Sequence, residues 1–91
     1  MPYIEQKDRD KFIQKVEDLS DLVNTDGELN YCITLLVHKI LKKRGIKYQN
    51  MNNLVGCLEC AKQEFLRIVV GPYENEKKQK NGGVSDLYKY K

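Results

Sequence analysis

The stretch "TDGELNYCITLLVHKILKKRG", residues 25 to 45, decides the fold, because it carries a start signal, an apolar middle and a stop signal in the order a helix needs. Thr25 followed three residues later by Glu28 fits the capping box, in which a hydroxyl and a carboxylate satisfy the backbone N–H groups left over at a helix start. Asp26 and Glu28 also sit where acids favour the positive end of the helix dipole. Leu29, Ile33, Leu36 and Ile40 recur at helical spacing, and Cys32, Leu35, Val37 and Leu41 widen that stripe. Lys42, Lys43 and Arg44 complement the negative end. Gly45 then supplies a residue free to take positive φ, and Ile46 is placed to fold back on the last turn.

Working outward, Phe12, Val16, Leu19 and Val23 form a narrow apolar stripe, which predicts an amphipathic helix from about Asp8 to Val23. "YQNMNN", residues 48 to 53, reads as a loop with several candidate caps. A third helix is expected from about Asn52 to Val70 on Leu54, Leu58, Ala61, Phe65 and Ile68, ended by Gly71 and Pro72. Helices two and three should pair as an antiparallel hairpin with helix one packed on it. The expected fold class is therefore all-α, a three-helix small domain over residues 1–73, with a flexible polar tail over 74–91. Within that tail, "GGVSDLYKYK" becomes extended only if a partner offers a sheet edge.

Composition narrows the function classes. The chain has 91 residues, 41% hydrophobic and 32% charged, and no apolar run of the roughly 18–20 residues that span a bilayer. The start, "MPYIEQKDRDKF", mixes acids and bases where an export signal needs a basic start and an apolar stretch, so a cytoplasmic protein is expected. Three cysteines fit reduced thiols better than a disulfide framework. The net charge is +3, but residues 74–91 hold five Lys against three acids, leaving eleven basic residues against ten acids in the body. Binding to nucleic acid is disfavoured, because a duplex-binding face concentrates basic residues against phosphates.

Several features bear on chemistry. Cys57 and Cys60 form a CxxC inside the third helix, with only Cys32 and His38 as further soft ligands, and neither a zinc knuckle nor a redox turn is built that way. With Gly56 and Ala61 they make a patch of small side chains, read as close helix packing. Glu59 with Lys62, and Glu64 with Arg67, are spaced as i,i+3 ion pairs. On the second helix Asn30, Thr34 and His38 fall at i, i+4 and i+8, with Tyr31 beside them. No nucleophile elbow, phosphate loop, metal motif or cofactor motif is present, so an enzyme is disfavoured. A polar stripe of Asn30, Tyr31, Thr34 and His38, with Lys62 and Arg67 as cations, suits a planar anionic ligand: Tyr stacks, Asn and Thr hydrogen-bond, cations meet phosphate.

"GELNY" (27–31), "GCLECAKQEFLRIVVGPYE" (56–74) and the following "NGG" resemble a family of proteins of this length from bacteria and their phages. That resemblance implies a provenance rather than an activity. The ending "RIVVGP" (67–72), through Arg67, Ile68, Val69, Val70 and Pro72, also resembles helical-hairpin phage proteins that sequester cyclic nucleotide immune signals. Those are all-helical, oligomeric and non-catalytic, and they bind nucleotides between helices. The resulting expectation is a non-enzymatic phage or prophage protein that forms a homo-oligomer and sequesters a nucleotide-type signal. Its alternative is an inhibitor or adaptor docked on a host protein, and a DNA-binding regulator ranks below both.

Overall fold

The computed structural model describes residues 2–89. Among them the chain is all-α, with no strand, in two compact units, Met1–Leu58 and Glu59–Lys91. The boundary expected after residue 73 falls inside a helix, Gly71–Asn81.

The first unit opens with a short 3-10 turn, Gln6–Asp8, that leads into α1, Asp10–Leu22. Arg9 joins the two by donating from Nε to the carbonyl of Ile4 at 2.8 Å. Val23 leaves the helix in extended conformation, with its N–H still donating to Leu19 O at 3.2 Å. Helix α2, Asp26–Arg44, starts on the capping box expected of it. Thr25 Oγ1 accepts from the Glu28 N–H at 3.1 Å, and Glu28 Oε1 accepts from the N–H groups of Asn24 at 2.7 Å and Thr25 at 3.1 Å. Three donors orphaned at a helix start are thus satisfied by two side chains.

The other end of α2 closes at Gly45, whose φ of 115° an L side chain rarely adopts. Ile46 does not fold back on the last turn. It stays 73% exposed, because a different side chain has taken the free carbonyls: Asn50 Nδ2 donates to Gly45 O at 2.9 Å and to Arg44 O at 3.3 Å. The polar run expected to be a loop is accordingly helical. α3 spans Tyr48–Phe65, its first turn closed by the Met51 N–H donating to Lys47 O at 3.0 Å. Gln49 and Asn53 use each other one turn apart, at 2.9 Å.

Gly71 and Pro72 do not end the third helix. It passes through a π turn, Leu66–Val70, into α4, Gly71–Asn81. In the wide turn the Gly71 N–H donates to Leu66 O, five residues back. A proline ring normally collides with the carbonyl four residues earlier and lacks the N–H that carbonyl expects. Widening the turn just before Pro72 places it in the first turn of α4, where the missing donor costs nothing. Gly71 suits the turn because a Cβ there would meet Leu66 O at 3.1 Å. The helix leaves at Gly82, φ 88°, and a 3-10 turn, Asp86–Lys89, follows, while the last two residues of "GGVSDLYKYK" lie outside the described residues.

Burial is sparse. Among the described residues the only buried hydrophobic side chain is Leu54 on α3, and no polar side chain is buried. The main stripe of α2 is open, with Leu29 50%, Ile33 43% and Leu36 59% exposed.

Candidate binding surfaces

Helix α1 presents the narrow stripe expected of it, and Phe12, Ile13, Val16 and Leu19 are all exposed. With Pro2 and Ile4 of the N-terminal segment, Phe12, Ile13 and Val16 line a groove of about 370 Å3, edged by Arg9 and Glu17. Lys11 Nζ stands 5.1 Å from the centre of the Phe12 ring, which gives that ring a cation at its margin. A second, mostly apolar groove of about 500 Å3 lies where α1 meets α2, lined by Leu19, Leu22, Val23, Tyr31 and Cys32.

On α2 the polar stripe is present as a pattern and is spent in part on itself. Thr34 Oγ1 donates to Asn30 Oδ1 at 3.2 Å. Tyr31 is 65% exposed and faces the α1–α2 groove. His38 is exposed on the same helix. Of these four side chains, Tyr31 lines that groove.

Lys62 and Arg67 belong to the second unit, and each meets a carboxylate one turn before it, as their spacing predicts. Lys62 Nζ lies 3.2 Å from Glu59 Oε2, and Arg67 Nη2 lies 3.0 Å from Glu64 Oε1. Glu59 also accepts from Gln63 Nε2 at 2.7 Å. The Gln63 hydrogen bond first, and then Lys62, hold the Glu59 carboxyl below its ordinary range. The Glu59–Lys62 pair is solvated on the helix surface, whereas the Glu64 side chain is only 24% exposed.

The cysteines and the small patch differ from their expected role. Cys57 and Cys60 are exposed rather than buried, and Cys32 is half-buried. A Cβ built on Gly56 would meet nothing within 4 Å, so close helix approach does not explain that glycine in the single chain. Among the described residues no group of three or more His, Cys, Asp or Glu could hold a metal ion, and no helix is long and apolar enough to cross a membrane.

One local device was not anticipated. After Gly82 the chain folds back so that Tyr88 lies against Gly83, where an added Cβ would come within 2.8 Å of the tyrosine Cβ and Cγ. Lys78 Nζ stands 5.8 Å from the Tyr88 ring. The Gly pair signals a turn in the sequence, but nothing local says which side chain will close on it.

Fold and surfaces together define a small all-α protein whose apolar faces are displayed on helices. A family model described as "Domain of unknown function (DUF6899)" matches residues 1–84, and the chain belongs to that family. No curated protein and no solved structure matches it.

Proposed function

We propose that this chain is a non-enzymatic binding protein of bacterial or phage provenance that docks the apolar face of α1 on another protein. The observation that carries the proposal is the open groove beside Phe12, Ile13 and Val16, on a helix whose opposite face is charged. An amphipathic helix with one apolar stripe is a common ligand for a hydrophobic groove, where residues at helical spacing act as anchors. Membrane lipid suits it less well, because α1 carries Asp10, Glu17, Asp18 and Asp21 against Lys11 and Lys15, an acidic balance that an anionic leaflet repels.

Phe12 is 49% exposed, and covering that remainder contributes about 0.8–1.5 kcal/mol, so Phe12→Ala should weaken the complex by roughly 3- to 10-fold. Affinity purification from bacterial lysate with wild type and Phe12→Asp tests this. A protein retained in stoichiometric amount by the first and lost by the second supports the reading; equal retention by both sinks it.

A second reading, sequestration of a nucleotide-type signal at Asn30, Tyr31, Thr34 and His38 with Lys62 and Arg67, draws support from the exposed Tyr31 ring at the mouth of the α1–α2 groove. Saturation by a ligand at 100 times its dissociation constant raises stability by about 2.7 kcal/mol. A panel of cyclic and linear dinucleotides that leaves the melting temperature unmoved ends this reading; a shift that Tyr31→Ala removes supports it.

A further inference from the structure

We infer that α2 is a self-association helix, and that two copies of the chain pair through it, antiparallel, about a two-fold axis passing between Thr34 and Leu35. Three observations converge on a second copy as the occupant of this helix.

The first is how much of α2 needs covering. Apolar side chains surround most of its circumference, a pattern that belongs to buried helices. Yet Leu29, Ile33 and Leu36 are 43–59% exposed, and Cys32, Val37, Ile40 and Leu41 are only half-buried. The chain exposes 8529 Å2. A folded monomer of 10.7 kDa is expected to expose about 5,500 Å2 by the usual scaling of area with mass. The surplus over the whole chain, about 3,000 Å2, exceeds the roughly 1,000–2,500 Å2 that obligate homodimers bury from each chain, so there is apolar area enough for such an interface on α2.

The second is the symmetry of the stripe. Leu29, Ile33, Leu36 and Ile40 are spaced four, three, four, the same read in either direction. Turned end for end on itself, the helix sets Leu29 against Ile40 of the second copy and Ile33 against Leu36. An isologous interface has that property: if residue i meets j, then j meets i.

The third is charge. The first turn of α2 is acidic, Asp26 and Glu28, and its last turn is basic, Lys42, Lys43 and Arg44. Antiparallel pairing brings Asp26 of one copy to Lys43 of the other, twice, and opposes the two helix dipoles. Helix α1 has the same four-three-four spacing, but its first turn is acidic and its last turn has no basic residue, so the same operation gains no opposite charges there. A membrane surface does not fit α2 either, because interfacial helices need one strongly polar face.

Sedimentation equilibrium and thermal melts of the full chain test the inference, and they do so independently of the α1 docking reading. The wild type should be a dimer or an assembly of dimers. A roughly 100-fold dilution should lower its melting temperature by about 5–10 °C, at about 1.4 kcal/mol per tenfold and about 2–4 °C per kcal/mol for a dimer of this size. Ile33→Asp, placed twice at the axis, should raise the dissociation constant at least about 100-fold, whereas Tyr48→Ser, on exposed α3, should leave it unchanged. Asp26→Lys alone and Lys43→Asp alone should each weaken association about two- to five-fold, and the double variant should restore it. A monomer whose melting does not depend on concentration overturns the inference. So does an oligomer that survives Ile33→Asp, or a double charge variant weaker than either single one.

Discussion

The start of α2 offers a prediction that can be worked from distances. Thr25 Oγ1 holds one N–H at 3.1 Å and Glu28 Oε1 holds two, at 2.7 and 3.1 Å. Replacing an N-cap threonine by alanine typically costs about 1 kcal/mol, within a range of roughly 0.5–2. Thr25→Ala should therefore lower the melting temperature by about 4–8 °C in a domain of this size, while Thr25→Ser, which keeps the acceptor, should stay close to wild type. Glu28→Ala removes two acceptors and a favourable charge at the positive helix end, and it should cost about as much. The two changes should not add. Once Thr25 is gone the cap residue is less well held, so the carboxylate has less to stabilise, and the double variant should fall short of the sum by about 0.5 kcal/mol or more. Circular dichroism melts at one fixed protein concentration provide the measurement, because association would otherwise shift the midpoint. A Thr25→Ala protein that melts within about 1 °C of wild type, or strictly additive losses, would refute the reciprocal geometry.

Other outcomes follow from smaller features. Carboxyl NMR titration should place the Glu59 midpoint below that of an ordinary glutamate, and Gln63→Ala and Lys62→Ala should each raise it. The sign for stability follows: a depressed folded-state value stabilises above the ordinary carboxylate range, and that contribution is lost as pH falls through the lowered midpoint. Gly83→Ala should push Tyr88 off the backbone, since its new Cβ would lie 2.8 Å from the ring's first atoms. Ring-current shifts at Lys78 should then disappear from the proton spectrum, and their persistence would contradict the fold-back.

What the residues disclosed in advance was mostly local. The Thr25–Glu28 cap, Gly45 after α2, and the Glu59–Lys62 and Glu64–Arg67 pairs each depend on side chains within one turn, and each stands where spacing put it. Misreadings arose where one residue type serves two purposes. Asn50 lies in a polar run that offers caps for the helix after it, but its side chain closes the helix before it. Gly71–Pro72 looked like a stop because a proline breaks α-helical bonding; a π turn changes which carbonyl each N–H meets, and the same pair then opens a helix. The candidate site is legible only as a pattern. Spacing aligned Asn30 with Thr34, but whether those groups would face a ligand or bond to each other depends on rotamers, and they bond to each other. Gly56 and its neighbours implied a close partner, and packing partners are non-local, so no spacing within the chain could identify one.

The π turn at Leu66–Val70 also bears on how this chain tolerates changes in length. Each residue advances a helix by about 100°, so one residue inserted or deleted in an ordinary helix swings every later side chain to another side. A π turn is a place where one surplus residue is already absorbed. Deleting a residue between positions 66 and 70 would let the ladder close as plain α-helix, and Tyr73, Lys77 and Lys80 would keep roughly their bearing on the residues before the turn. Relatives that differ by one position here would then align cleanly on either side of the turn and display the same faces beyond it. For this chain, position counted from the N-terminus is a poor guide to direction once Leu66 is passed.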